Sequence, residues 1–272
     1  MVGSKVFGVF VVTCLALIFV GCERSYHGPR VASSSETDFA FVLKAEDDAD
    51  TIIDKAVEAH GGEKSFSCWR CGYLKYQTRI SIAPTDVGDA TIEDTFQFPG
   101  HLKRVVRKGK NGEDIVFVSV VNHGKVWTKF ADGSALPSES NKSTDRTQHQ
   151  FGDFCNLELL TEREAVLTKL GSELIDGKQA IGVRVESDEL GTVDFHFESK
   201  TGLLLKSKKT APDPISGRPA VMESFLSDYK EVQGVRVPMS INGSRDGKAI
   251  MNVIILEVKF AEKFEDSTFA KP

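Results

Sequence analysis

The ten residues YLKYQTRISI, residues 73–82, decide the fold, because apolar and polar side chains alternate along them. One face of this stretch carries Leu74, Tyr76, Thr78, Ile80 and Ile82. The opposite face carries Lys75, Gln77 and Arg79. A period of two is typical of a β-strand with one buried face and one solvated face. The stretch therefore predicts a strand in a sheet whose apolar side covers a core.

The same period recurs on both sides of a central interruption. Downstream stretches with this pattern are TIEDTFQF (91–98), HLKRVVRK (101–108), EDIVFVSVV (113–121) and KVWTKF (125–130), and further strands are predicted from about residue 179 to 260. Asn122-His123-Gly124 and Asp246-Gly247 are hairpin signals. No connection between these strands is long enough for a crossover helix, so the pattern predicts an antiparallel sheet.

Helical patterns lie on either side of the first strands. In AEDDADTIIDKAVEAHGGEKS (45–65), acidic residues begin the element, Gly61-Gly62 ends it, and His60 near its end is expected to carry partial positive charge. Its apolar stripe consists of Ile52, Ile53, Ala56 and Val57. Residues 131–146 are predicted to form a surface loop or lid, and residues 147–170 a second helical segment. The fold class is thus α+β, mainly antiparallel β, with about 11 to 12 strands and helices covering the opening of a curled sheet.

The overall charge excludes one class of function. The 272-residue chain has 27 % charged residues, a net charge of -5 and no run of basic residues. Such a chain has no general affinity for a phosphate backbone, so we expect no nucleic-acid partner.

The N-terminus predicts export and attachment to a membrane. Lys5 precedes the uncharged stretch from Val6 to Val20, which is shorter than the roughly 20 apolar residues of a comfortable span. Gly21 and Cys22 follow, and this arrangement resembles the lipobox of bacterial lipoproteins, although Phe19 stands where Leu is usual. The expected organisation is a lipoprotein signal peptide (1–21), a tether (22–45) with a lipid on Cys22, and a domain over 46–272 with a helical and loop insert at 131–170. An uncleaved single span ending at Cys22 is the alternative.

Four stretches carry a resemblance to a known family. DKAVEAHGG (54–62), FHFESKTGLLLKSK (195–208), SDYKEVQGVRVPMSI (227–241) and LEVKFAEKFEDSTFAKP (256–272) resemble the LolA/LolB-like outer-membrane lipoprotein-sorting proteins, and the likeness covers about residues 45 to 272. It implies a half-open β-barrel with an apolar interior that binds lipid or lipoprotein acyl chains. Together with the N-terminal pattern it places the chain in the cell envelope, with the periplasmic side of the outer membrane as the expected location, and we expect a monomer. A stress-sensor or protein-interaction module with the same fold and no lipid cargo is the alternative.

The apolar interior and the cysteines supply the candidate site residues. The expected cavity lining consists of Phe96, Phe98, Phe117, Trp127, Phe195, Phe197, Phe225, Met239 and Ile255. The alternative is that these residues simply form a core. For the CxxC motif of Cys68 and Cys71, redox chemistry and zinc binding are weaker alternatives to a structural disulfide joining two of Cys68, Cys71 and Cys155. The histidines and carboxylates show no catalytic spacing, so we expect a binding protein without catalytic residues, metal or cofactor.

Overall fold

The computed structural model describes residues 41–62, 67–82, 85–109, 112, 114–140, 165–187, 191–212 and 217–272. Within these ranges the chain forms one α-helix, two short 3-10 turns and thirteen strands that belong to a single sheet. The helix is α1 (Ala49–Ala59). The strands are β1 (Cys71–Ile82), β2 (Thr85–Gln97), β3 (His101–Lys108), β4 (Asp114–Asn122), β5 (Lys125–Phe130), β6 (Ala135–Ser140), β7 (Val166–Ile175), β8 (Lys178–Ser187), β9 (Gly191–Glu198), β10 (Leu204–Pro212), β11 (Pro219–Val232), β12 (Val235–Arg245) and β13 (Lys248–Phe260).

The sheet consists of two meanders joined by one long-range pairing. Its order is β6-β5-β4-β3-β2-β1-β13-β12-β11-β10-β9-β8-β7, so neighbouring strands are consecutive in sequence except at β1 and β13. There the first strand pairs antiparallel with the last, with Gly72 opposite Phe260. Among the described strands, β6 and β7 each pair on one side only, so the sheet does not close. The prediction of one open antiparallel sheet is confirmed, with thirteen strands in place of about 11 to 12.

The alternation in residues 73–82 is confirmed for the side chains that the structure describes. Leu74, Tyr76 and Thr78 are buried, whereas Lys75 and Gln77 between them are partly exposed. We call the face that carries Leu74 and Tyr76 and their cross-strand neighbours the inner face, and the opposite one the outer face. The largest apolar cluster of the molecule is built from inner-face residues of both meanders together with α1.

Helix α1 packs against one part of the inner face. The Asp48 side chain caps its N-terminus by accepting a hydrogen bond of 2.8 Å from the Thr51 N–H, and the left-handed Gly61 (φ 114°) and Gly62 (φ 77°) follow its end. Its apolar stripe is buried in the main cluster, and the helix contacts β7 and β8. Lys169 of β7 donates hydrogen bonds to the carbonyl oxygens of Ala45 and Asp47 just before the helix. Within the described residues one helix therefore packs on the inner face near β7 and β8, and a second one is not found there.

Two segments differ from the sequence-based expectation. Strand β6 lies within the predicted loop, and β7 takes up the end of the predicted helical segment 147–170, whose residues 147–164 lie outside the described ranges. The reason in β7 is an irregularity of register between Lys169 and Ser172. It interrupts the period of two. Leu167 lies opposite Val185, whereas Leu170 lies over Gly182 on the other face, so their spacing of three residues only looks helical.

The described part of the chain also begins inside the predicted tether. Leu43 is buried in the main apolar cluster, and its N–H donates a hydrogen bond of 2.8 Å to the Ser199 carbonyl. Residues 1–40, including the predicted signal peptide and the predicted lipid attachment at Cys22, lie outside the described residues. No helix within the described ranges is long and apolar enough to cross a membrane.

Candidate functional site

The inner face gathers most of the residues expected to line a cavity. Seven of the nine belong to the main apolar cluster or pack against it: Phe96, Phe98, Phe117, Phe195, Phe197, Met239 and Ile255. Phe96 stacks on Phe98 with ring centroids 5.5 Å apart, and Phe195 stacks on Phe197 at 6.4 Å. These residues come from both meanders, so one continuous apolar surface crosses the junction between β1 and β13.

The other two expected residues lie on the outer face. Trp127 is opposite Val120 on β4, whereas its strand neighbours Val126 and Thr128 take the inner positions. Phe225 packs against a separate small cluster of Ile175, Ala180 and Leu205. Both are large apolar residues at the wrong parity of their strands, so they take no part in an inner-face site.

A line of polar side chains crosses the inner face of the first meander. Asp94, Arg104, Ser119 and Thr128 occupy directly opposite positions on β2, β3, β4 and β5. We call these four residues the polar row. The cross-strand line on one side consists of Phe96, Leu102 and Val121, and that on the other side of Ile92, Val106 and Phe117. The polar row is therefore flanked by apolar side chains on both sides.

The row begins with a buried ion pair of close geometry. Arg104 is 2 % and Asp94 3 % exposed. The Nε of Arg104 donates to Asp94 Oδ1 at 2.7 Å, and its Nη2 donates to Oδ2 at 2.5 Å. Tyr76 of β1 donates its hydroxyl proton to the same Oδ2 at 3.3 Å. Further along, the hydroxyl oxygens of Ser119 and Thr128 lie 3.1 Å apart. Two parallel N–H···O bonds hold the guanidinium plane in one orientation.

The charges of this pair are compensated inside the fold. Burial opposes the charged form of the Arg104 guanidinium, but the adjacent Asp94 carboxylate outweighs it, and the pKa of Arg104 is raised. Burial also raises the pKa of Tyr76, so its hydroxyl stays protonated and remains a donor to Asp94. The pair therefore presents one positive and one negative charge that cancel within the site.

One edge of the Arg104 guanidinium has no partner. Its Nη1 is buried and has no hydrogen-bond acceptor, and within the described residues the buried Thr78 hydroxyl on the same face likewise has none. A guanidinium has five N–H donors, and the Asp94 carboxylate accepts from only two of them, one on Nε and one on Nη2. Because leaving a buried donor unpaired costs about 1–3 kcal/mol, the Nη1 edge of Arg104 is a candidate for ligand binding.

A second buried polar group, at the end of α1, is fully occupied. The Nδ1 of His60 lies 2.7 Å from the Ala56 carbonyl oxygen, and its Nε2 accepts a bond of 3.3 Å from the Leu204 N–H. Burial lowers the pKa of His60 to about 4, against the opposing effect of the Ala56 bond. His60 is thus neutral at pH 7, which corrects the expectation of a positive charge at this helix end. Its two bonds connect α1 to β10.

Cys68 and Cys71 lie in an environment that is typical of structural rather than reactive thiols. Cys68 and Cys71 are free in the structure, and Cys155 lies outside the described residues, so the disulfide stays a prediction. Burial raises the pKa of the Cys68 thiol and raises that of Cys71 to about 11. Redox cysteines need a lowered thiol pKa, so this environment disfavours redox chemistry. No group of three or more His, Cys, Asp or Glu side chains suited to a metal ion occurs in the described part of the chain.

The outer face carries a groove beside the C-terminal residues. It has a volume of about 430 Å³ and lies between β3, β4 and residues 267–272. Its lining includes the basic Lys103, Arg107 and Lys271 together with the apolar Val105 and Val118. The groove is open to solvent and lies across the sheet from the polar row.

Comparison with solved structures identifies the fold. A LolA superfamily protein from Nitrosomonas europaea matches with a TM-score of 0.52 and 12 % identity, over 83 % of this chain and 98 % of that one. A DUF1329 family protein from Desulfovibrio piger matches with a TM-score of 0.50 and 12 % identity, over 82 % of this chain and 97 % of that one. No protein-family model and no curated protein matches the sequence. The fold is LolA-like.

Proposed function

From the LolA-like fold and its inner face, we propose that this chain is a lipid-anchored envelope protein that binds lipid or lipoprotein acyl chains against the inner face of its half-open sheet. It acts as a binding protein without catalysis, in lipoprotein sorting or lipid transport. The single observation that carries this proposal is the continuous apolar surface formed by inner-face residues of both meanders.

The dimensions of the sheet support a large apolar site. Thirteen strands spaced about 4.8 Å apart extend roughly 58 Å across the sheet. Helix α1 has 11 residues and is therefore about 16 Å long, and its most extensive strand contacts are with β7 and β8. A helix of this length spans only part of the width of the inner face. Burying apolar area is favourable by about 25 cal/mol per Å², whether the partner is protein or an acyl chain.

Membrane attachment would bring this surface to its ligand. We place the lipid anchor at Cys22, with the tether ending before Leu43, where the chain joins the core. Acyl chains on one cysteine contribute about 0.8 kcal/mol per buried methylene, enough for firm attachment when several chains are present. An anchored half-barrel could then take up a lipid from the same membrane.

Photo-crosslinking of the full chain in a bacterial host tests the lipid site. Benzoylphenylalanine replaces either Phe130, which packs against the main apolar cluster with its ring centroid 6.0 Å from that of Phe117, or Trp127, which lies on the outer face of the same strand. After irradiation, mass spectrometry of the peptide that carries the probe identifies what was captured. We expect lipid adducts at position 130 and none at position 127.

The two positions serve as matched controls, since both residues are half-buried on β5. Lipid adducts at neither position would contradict acyl-chain binding. Equal lipid adducts at both would reduce the result to general contact with the membrane. The peptide map keeps a captured lipid separate from the lipid on Cys22.

The anchor itself is tested by metabolic labelling with an alkyne-tagged fatty acid. The full chain is expected to take up the label and to remain in the membrane fraction, whereas the Cys22→Ala variant is expected to lose the label. A labelled Cys22→Ala protein would refute attachment at this residue.

The outer groove favours one second candidate, a protein-interaction or stress-sensor module. Its three basic side chains beside apolar ones suit an acidic segment of a partner protein. This function predicts protein adducts at position 127 and an absence of lipid adducts at position 130, so the same experiment separates the two.

A further inference from the structure

We propose that the polar row is a binding site for the carbonyl oxygen of an acyl ester or amide, held by the free Nη1 edge of Arg104 while the attached chain lies on the flanking apolar residues. This inference rests on the proposed acyl-chain binding and specifies the ligand chemistry of the same face. The observation behind it is a buried guanidinium edge without an acceptor, in a polar row that has apolar side chains on both sides.

The chemistry of the free edge requires an acceptor. Arginine is a donor only, and its pairing with Asp94 fixes the direction in which Nη1 points. Water satisfies such a group poorly where apolar side chains surround it, because an ordered water needs two to four polar partners. An oxygen that arrives with its own apolar chain provides the bond and keeps the surroundings apolar.

Charge decides between an anionic and a neutral acceptor. The positive charge of Arg104 is already balanced by Asp94 at 2.5 Å, and the Asp94 carboxylate would repel a phosphate or carboxylate bound beside it. A neutral carbonyl accepts from Nη1 without adding a second negative charge to a buried site. The polar row therefore suits an ester or amide better than an ionised head group.

The neighbours of the row indicate where the rest of the ligand lies. Phe96 and Leu102 flank Arg104 and Asp94 on one side, and Ile92 and Val106 flank them on the other. A ligand group bound at the row must therefore be polar over a few ångströms and aliphatic beyond. Exposure also increases along the row, from buried Arg104 to half-buried Ser119 and Thr128, whose hydroxyl groups provide polar contacts towards β5. An acyl linkage has this combination of one carbonyl and a long chain.

Competition between ester and ether lipids tests the inference. The full chain with benzoylphenylalanine at position 130 is reconstituted into vesicles that contain equal amounts of diacyl and dialkyl-ether phosphatidylglycerol of the same chain length. The two lipids differ only in the carbonyl groups. Mass spectrometry of the adducts gives the ester-to-ether ratio, and we expect it to be about tenfold, the effect of one hydrogen bond from a charged donor.

Two double variants locate the selectivity. In Asp94→Leu/Arg104→Met the buried ion pair is replaced by apolar side chains, a change that buried pairs often tolerate without loss of stability. Its ester-to-ether ratio is expected to fall to about one while lipid capture persists. In Asp194→Leu/Arg184→Met the outer-face pair of similar geometry is removed, and the ratio should stay about tenfold.

Each outcome has one meaning. If the chain with the unmodified polar row captures ester and ether lipid equally, the carbonyl site is wrong, whereas the proposal of acyl-chain binding still stands. A preference that survives in Asp94→Leu/Arg104→Met also overturns it. Absence of any lipid adduct removes the proposed function together with this inference. The ratio of the unmodified row decides the matter even if the inner double variant fails to fold, which circular dichroism would reveal.

Discussion

Two arginine–aspartate pairs of almost identical geometry lie in different environments of the same sheet. Arg104 bonds Asp94 across β2 and β3, and Arg184 bonds Asp194 across β8 and β9, in both cases with Nε to Oδ1 at 2.7 Å. The inner pair has 2 % and 4 % of its side-chain surface exposed, and the outer pair 42 % and 15 %. The two pairs thus share the bidentate arrangement but lie on opposite faces of the sheet, the second bond being 2.5 Å in the inner pair and 3.0 Å in the outer one.

The difference shows what burial does to the unused donors of a guanidinium. On the outer face, water reaches the donors of Arg184 that Asp194 does not bind, and the pair contributes little to stability. On the inner face the Nη1 of Arg104 is buried and has no acceptor among the protein atoms, so this edge is left without a hydrogen bond. An arginine–aspartate pair is thus a candidate ligand site in the first meander and a surface ion pair in the second.

Single substitutions should separate the two pairs most strongly. Arg104→Met leaves the Asp94 carboxylate buried with only the Tyr76 hydroxyl, and we expect a loss of about 3–5 kcal/mol in the free energy of unfolding. Arg184→Met should cost no more than about 1 kcal/mol. Chemical denaturation of the full chain in detergent micelles measures both.

The double variant sharpens this prediction. Asp94→Leu/Arg104→Met should regain most of the stability lost in Arg104→Met, because no buried charge remains. If Arg104→Met and Arg184→Met lowered the free energy of unfolding equally, burial would not distinguish the two pairs.

A pH titration examines the second buried polar group, His60, which has partners on both of its ring nitrogens, whereas one nitrogen of Arg104 has none. Its pKa is about 4 in the fold and 6.5 ordinarily, so the unfolded chain binds a proton at a pH where the folded chain does not. Its contribution is therefore complete above about pH 6.5 and is lost as the pH falls towards 4, by about 3 kcal/mol.

The measurement is the free energy of unfolding between pH 7 and 4.5 in the wild-type chain and in His60→Gln, which lacks the titrating group. Carboxylates titrate in both proteins, so the difference in slope isolates His60. If the free energies of unfolding of the two proteins changed with pH in parallel, the fold would not lower the pKa of His60. The ester-to-ether ratio should be the same in both proteins, because His60 belongs to the contact between α1 and β10.

The smallest effect is expected at Tyr76. Tyr76→Phe removes the 3.3 Å hydrogen bond to Asp94 and leaves the Arg104 pair in place, so we expect a loss of about 1 kcal/mol and a retained ester preference. Thermal unfolding followed by circular dichroism gives the first value, and the vesicle competition gives the second. Loss of the preference in this variant would assign the carbonyl contact to Tyr76.

The strand pattern could be predicted from the sequence because one face of the sheet is buried. The period of two in residues 73–82 follows directly from that burial. The ends of α1 could be predicted as well, its start from Asp48 and its end from Gly61-Gly62. The helical expectation for the end of 147–170 was wrong because an irregular register in β7 hides the alternation. Trp127 and Phe225, which were expected to line the cavity, lie on the outer face, and the parity of their strands accounts for this.

The sequence contains a signal for the polar row, but an analysis of hydrophobic patterning alone does not detect it. Asp94 lies between Ile92 and Phe96, and Arg104 between Leu102 and Val106, so both charged residues occupy inner positions. That they meet depends on the turn between β2 and β3, which sets Gln97 opposite His101. A change of one residue in that register would separate the pair, and the sequence alone does not fix it.

The pairing of β1 with β13 has a consequence for the order in which the domain assembles. Each meander consists of hairpins between consecutive strands, which close short loops, whereas Gly72 meets Phe260 only after almost the whole chain has been made. Contacts of long sequence separation form slowly, so this central seam is expected to form last. Until the final strand pairs with β1, the apolar faces of both meanders remain exposed, and the risk of aggregation is highest in this interval.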